Sequence, residues 1–299
     1  MSEMIPARFE VLDARFAGTG GDRFVERAFS TGRWLEGPAY SPAGRFLLFS
    51  DIPNDRVLRY DEVSGRTDVF RTPADFPNGR TLDRQGRFLT CEHGARRVTR
   101  AEHDGSVTVL ADSWQGLRLN SPNDVVVHSD GSVWFTDPSY GIHTDYEGHQ
   151  APSEIGARYV FRWDPATRGL DLVAGDFVQP NGLAFSADEH RLYVVDSDQH
   201  TIRVFEVHGA GLVGGEIFAA DDLGYDGIRF DDRGRLWAAA HDGLHCYDPD
   251  GTLLGKLLLP EVVANLEFGG PQRNQLYITA TTSLYTLRVN FRGARYPVP

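Results

Sequence analysis

Apolar residues along this chain come in runs of four to six, rich in Val, Ile, Leu, Phe, Tyr and Trp, and Asp-Gly, Asn-Gly and Pro-containing stretches cut the runs apart. That is strand-and-turn patterning, so nearly all of the fold is expected to be β. Six runs follow a turn in the same way: AGRFLLFSD at Gly44, QGRFLTCEH at Gly86, DGSVWFTD at Gly131, EHRLYVVD at His190, RGRLWAAAH at Gly234 and RNQLYITA at Asn274. The intervals between them are 42, 45, 59, 44 and 40 residues, near the length of one four-stranded propeller blade. A β-sandwich also recurs in strands, but it has no reason to keep this period six times. The expectation is an all-β, six-bladed β-propeller of four-stranded antiparallel blades around a central channel, a single domain over residues 1–299. An N-terminal strand in RFVERAFS should complete the last blade, because little chain follows TSLYTLRVNF. The long third unit carries an insertion at 138–157, a candidate lid or specificity loop on the binding face, with a plain surface loop or a dimer contact as the alternatives.

Counting back eight residues from four of these turns reaches Glu36, Asn78, Asn123 and Asp226. In the fourth and sixth units, where the turn is one residue longer, nine residues back lie Asn181 and Asn265. Innermost strands line a propeller's channel, so six oxygen-bearing side chains at one register form a ring around the axis. Asn-Gly and Asp-Gly are ordinary turn dipeptides, and a turn reading stays open for a single case such as Asn78-Gly79 or Asn181-Gly182. It does not cover Glu36, Asn123 or the shared register. A ring of carboxylate and amide oxygens suits a hard cation, Ca²⁺ first, with Mg²⁺, Mn²⁺ or Zn²⁺ as alternatives. Gly37, Gly79, Gly182 and Gly227 would let the backbone pack closely near the axis.

Charge and cysteine content narrow the classes. A net charge of −12 argues against nucleic acid and anionic membrane as partners. Cys91 and Cys246, far apart and outside any C-x-x-C spacing, argue against a disulfide framework or a thiolate zinc site. No signal-peptide pattern or long apolar run is present, so a cytoplasmic location is expected. GAGLVG at 209–214 satisfies G-x-G-x-x-G but is followed by strand rather than helix, so it reads as a hairpin loop.

The segments LEGPAYSPAGRFLLFSDI, LNSPNDVVVHSDGSVWFTDPSYGI, QPNGLAFSADEHRLYVVDS and YDGIRFDDRGRLWAAAHDGL resemble the gluconolactonase branch of the senescence-marker-protein/gluconolactonase/luciferin-regenerating-enzyme family. The resemblance covers roughly residues 33 to 290. It implies a six-bladed propeller that hydrolyses sugar lactones with a divalent metal, usually calcium, held by Glu36, Asn123, Asn181 and Asp226. Animal-type members carry an Arg two residues before the Asn123 position to contact substrate. Here that residue is Ser121, with Arg118 and Asn120 nearby.

A metal on open protein ligands can polarise a lactone carbonyl and steady the oxyanion formed when water attacks. Asp226 is the expected proton acceptor and Glu36 the purer ligand. Asn78, Asn120, Arg118, His93, His241 and Asn265 are the candidate substrate contacts, the two histidines sharing a strand-end position with Asp51, Asp137, Asp196 and Thr281 that equally suits capping. Asp124 is expected to face away from the channel and fix its loop. A small lactone is the expected substrate. An aryl-esterase or phosphotriesterase with the same metal, and a non-catalytic metal-binding propeller, are the alternatives.

Overall fold

The apolar runs become strands buried on both faces, as in Phe46–Asp51, Leu236–Ala240 and Gln275–Ala280. In the computed structural model, which describes residues 3–294, six antiparallel sheets surround one axis as a β-propeller. The two ends of the expected 1–299 span, residues 1–2 and 295–299, lie outside the described residues.

Each blade begins at the axis. The inner strands are Leu35–Ser41, Pro77–Leu82, Val125–Val127, Pro180–Phe185, Tyr225–Phe230 and Val263–Gly269, and each heads a meander running outward. Phe24–Phe29 pairs with Leu284–Arg288 and supplies the fourth strand of the sixth blade, as RFVERAFS predicts. Two further strands were not foreseen: Glu3–Pro6 extends the sixth blade through Phe24–Phe29, and Arg8–Val11 extends the fifth through Leu253–Leu258. Between blades the sheets bury interlocking apolar clusters, one of them joining Phe16, Trp237, Leu266, Tyr285 and Phe291 across the fifth and sixth blades. Cys91 and Cys246 are buried free thiols in these cores. GAGLVG is a hairpin, as expected, turning at residues 209–210 between Thr201–His208 and Gly211–Ala220.

Five of the six inner strands share a defect. Register shifts fall between Glu36 and Ala39, Pro77 and Arg80, Pro180 and Leu183, Tyr225 and Ile228, and Val263 and Asn265. A bulge re-aims the side chain it carries, which is how the ring residue of those five blades turns toward the axis, whereas Asn123 of the third blade lies just before its strand. The glycine that follows makes room for the next blade. A Cβ on Gly37 would lie 1.9 Å from Asn78 O, on Gly79 2.3 Å from Asn123 O, on Gly182 2.3 Å from Asp226 O, and on Gly227 2.1 Å from Asn265 Cγ. Hydroxyls on the second strands tie the same joints: Ser50 Oγ donates to Asn78 O at 2.7 Å and Thr136 Oγ1 to Asn181 O at 2.8 Å.

Candidate functional site

The ring residues meet at the floor of a cavity of about 250 Å³. Glu36, Asn78, Asn123, Asn181 and Asp226 line it, and Trp34, His200, Leu223, His241 and Val262 belong to its wall. Glu36, Asn123 and Asn181 are buried, whereas Asp226 is partly open to the cavity.

Hydrogen bonds fix several of the ring residues. Gly37 N and Asn265 Nδ2, the latter at 3.0 Å, both donate to Glu36 Oε2, which leaves Oε1 available to the cavity. Asn265 Oδ1 accepts from Leu266 N at 2.9 Å, so Asn265 is a support for Glu36 rather than a wall of the cavity. Ser197 Oγ donates to Tyr225 O at 2.7 Å and therefore accepts from Asn181 Nδ2 at 2.9 Å, turning the amide oxygen of Asn181 away from Ser197. The Asn123 backbone is clamped, its N–H donating to Thr136 O and its carbonyl accepting from Gly79 N.

Burial dominates the electrostatics. It pushes the Glu36 carboxyl up to about 7, helped by the Asp124 carboxylate, and drives Asp226 well above the usual carboxylate range, reinforced by Glu36, Glu147 and Asp124. Below the ring Asp124 Oδ2 and Glu267 Oε2 approach the Arg229 guanidinium at 3.5 and 3.7 Å. Asp124 thus faces into the channel, contrary to the expectation that it points away. The strand there begins at Val125, so the alternation of a β-strand does not apply to residues 123–124.

The donor set fits a hard divalent cation. Among the described residues no group of three or more His, Cys, Asp or Glu side chains converges, so a thiolate or imidazole zinc centre has no counterpart here. The floor offers two carboxylates and amide oxygens, and the buried Asn78 Oδ1 has no hydrogen-bond partner. Positive charge would relieve both the orphaned oxygen and the repulsion between Glu36 and Asp226.

The remaining candidates divide. His241 lines the cavity wall and is exposed. His93 is fully buried behind Asn78, with Nε2 3.1 Å from Asn78 Nδ2 and Nδ1 3.0 Å from Glu147 O. Asn120 and Arg118 are not brought to the cavity. Asn120 spends its amide on Asp137 O, Ala157 O and Ser153 Oγ, and Arg118 is exposed in a short hairpin, donating to Ala95 O. Ser121, at the position of the animal-type Arg, binds Pro138 O and Gly141 N and so anchors the insertion. Strand-end acids act as caps: Asp137 accepts from Asn120 N and Ser121 N, and Asp196 from Val178 N and Gln179 N.

Sequence reasoning missed Tyr140 and Glu147, which the insertion brings into the cavity. Burial, with Asp226 adding to it, raises the Tyr140 hydroxyl, so it remains a donor, and burial lifts Glu147 to about 7. Their one signal was the length of the third unit, which located a loop without naming its residues.

A bulged ring of oxygens at the mouth of a six-bladed channel, under an inserted loop, defines a propeller with a small-molecule site. Residues 34–282 match the SMP-30/Gluconolactonase/LRE-like region, and the chain belongs to that family. It is 30% identical to a gluconolactonase of Zymomonas mobilis over 297 residues, covering 90% of this chain and 82% of that one. It is 28% identical to a pentonolactonase of Haloferax volcanii, covering 82% and 80% of the two chains. A gluconolactonase structure from Xanthomonas campestris superposes with a TM-score of 0.90 at 35% identity, covering 96% of this chain and 97% of that one.

Proposed function

We propose that this protein is a divalent-cation-dependent lactonase that opens sugar lactones by water attack at the ester carbonyl, with Ca²⁺ as the favoured ion. The observation that carries the reading is the ring itself: Glu36, Asn123, Asn181 and Asp226 share the floor of a cavity whose size suits one small ring compound rather than a polymer. The lactonase names of the relatives support the substrate class.

Glu36, Asn123, Asn181 and Asp226 would hold the cation, which when bound supplies Lewis-acid polarisation of the carbonyl. Glu36 is braced by Gly37 and Asn265 and serves as a fixed ligand. Asp226 is the carboxylate open to the cavity, so it can take the proton of the attacking water on a carboxylate oxygen and return it to the ring oxygen that leaves. The Tyr140 hydroxyl and the His241 ring, both on the wall, are placed to orient the hydroxyls of the substrate.

Proton release from γ- and δ-lactones, aryl esters and phosphotriesters, followed with and without chelator, tests this. Chelator-sensitive opening of aldonolactones is expected, and no such activity on any lactone overturns the reading. Asp226→Asn should retain most cation binding by calorimetry while kcat falls by about 10²–10⁴-fold, the usual contribution of general-base catalysis. Full turnover in that variant removes Asp226 from the role.

A further inference from the structure

His93 has two neighbours that together leave it one protonation state. Glu147 O, a carbonyl, can only accept, so Nδ1 at 3.0 Å must carry a proton. The ring is fully buried and its two partners are an amide and a backbone carbonyl, neither of which balances a positive charge, so it stays neutral with a single N–H. Nε2 is therefore a bare acceptor, and of the two ends of the Asn78 amide only the NH₂ can face it at 3.1 Å. The same reversal that would bring Asn78 Oδ1 to His93 would set two lone pairs against each other at Nε2 or at Nδ1. The Asn78 oxygen is thus left on the ring side, buried and without a hydrogen-bond partner. His93 is itself immobilised, since a Cβ on Gly141 of the insertion would lie 2.6 Å from His93 Cβ.

We propose that His93 is a positioning residue that locks the amide of Asn78 with Oδ1 toward the site, so that Asn78 adds an oxygen to the cation ring only while the Glu147 carbonyl of the insertion holds the imidazole from behind. Residues 138–157 then do more than roof the cavity. Their backbone sets the polarity of an amide on the opposite side of the imidazole, and cation affinity becomes sensitive to a loop that contributes its ligand at second hand. The inference rests on the ring being a cation site, but the amide orientation does not.

Two measurements separate the parts. Nitrogen-15 spectra of the protein with labelled histidine and asparagine should show His93 protonated at Nδ1, with a through-bond coupling from Asn78 Nδ2 to His93 Nε2. The opposite tautomer, or no coupling, overturns the proposal whether or not a metal binds. Calcium titration by calorimetry should show His93→Leu binding about 10–100-fold more weakly than wild type, the usual cost of losing a group that orients a ligand. His93→Gln, which can offer both an acceptor and a donor, should recover much of that loss, and thermal midpoints verify that the variants fold. In an Asn78→Asp background, where either oxygen can face the ring, His93→Leu should cost nothing further. An undiminished loss there assigns His93 a packing role and overturns the proposal. Failure of wild type to bind any divalent cation overturns the cation reading, and the spectra then decide the orientation alone.

Discussion

Glu36 is buried beside a second acid and near a third, a placement that penalises its charge and makes it a strong ligand once a cation is present. A carboxyl lifted from its ordinary 4.5 to about 7 stabilises the folded chain while protonated, and that contribution is lost as pH rises through this window. Without cation the protein should therefore lose stability between these values, and Asp226, raised in the same direction, adds to the loss. With cation bound, the ionised form is the one required. The calcium-induced rise in thermal midpoint should accordingly be larger at about pH 8 than at about pH 5, and calcium binding near pH 6 should release protons, read as a dependence of calorimetric heat on buffer ionisation enthalpy. A midpoint shift independent of pH would contradict the burial argument. Asp226 and the Asn side chains were legible in the sequence because the turn lies eight or nine residues from the ring in every unit. Glu147 and Tyr140 were not, for the insertion has no repeat partner to set a register. Nor were the partners of Asn120, since Asp137 and Ala157 are 17 and 37 residues away in sequence and nothing in the local pattern links them.

At the scale of the strand, the bulge and its glycine work as one joint. Gly37 has φ +52°, and a Cβ there would fall 1.9 Å from the Asn78 carbonyl. Gly37→Ala should cost about 2–5 kcal/mol, combining a left-handed backbone with an overpacked contact, and should appear as a lower urea midpoint with little change in slope. Gly182→Ala tests the contact alone, since its φ is not positive, and should cost about 1–3 kcal/mol while weakening cation binding through the displaced Asp226 carbonyl. Asn78-Gly79 and Asn181-Gly182 look like turns in the sequence because glycine after Asn serves both purposes. What separated the two was repetition: the offset to the next turn holds across blades, and a loop turn would not need to keep it. Asp124 escaped this logic. It lies one residue before the strand begins, outside the reach of β alternation, where the backbone is irregular and places the carboxylate on Arg229 in the channel.

For the whole molecule, closure depends on Phe24–Phe29 reaching Leu284–Arg288, and the repeat spacing alone exposed that need, because the last unit runs out of chain. The added strands Glu3–Pro6 and Arg8–Val11 are too short and too ordinary in composition to have been seen. Removing residues 3–12 should leave a closed ring with a modestly lower thermal midpoint. Removing residues 3–30 should bare the edge of Leu284–Arg288 and yield aggregates, distinguishable by light scattering after size exclusion. That joint also has a timetable. Phe24–Phe29 leaves the ribosome early but waits for a partner some 255 residues downstream, roughly 10–50 s at ordinary synthesis rates, with five blades assembled and one edge unmatched. The pair Glu26 and Arg27 in the middle of that strand sets opposite charges where an apolar ribbon would invite a neighbouring nascent chain, so the segment that finishes the ring is also dressed to travel alone until then.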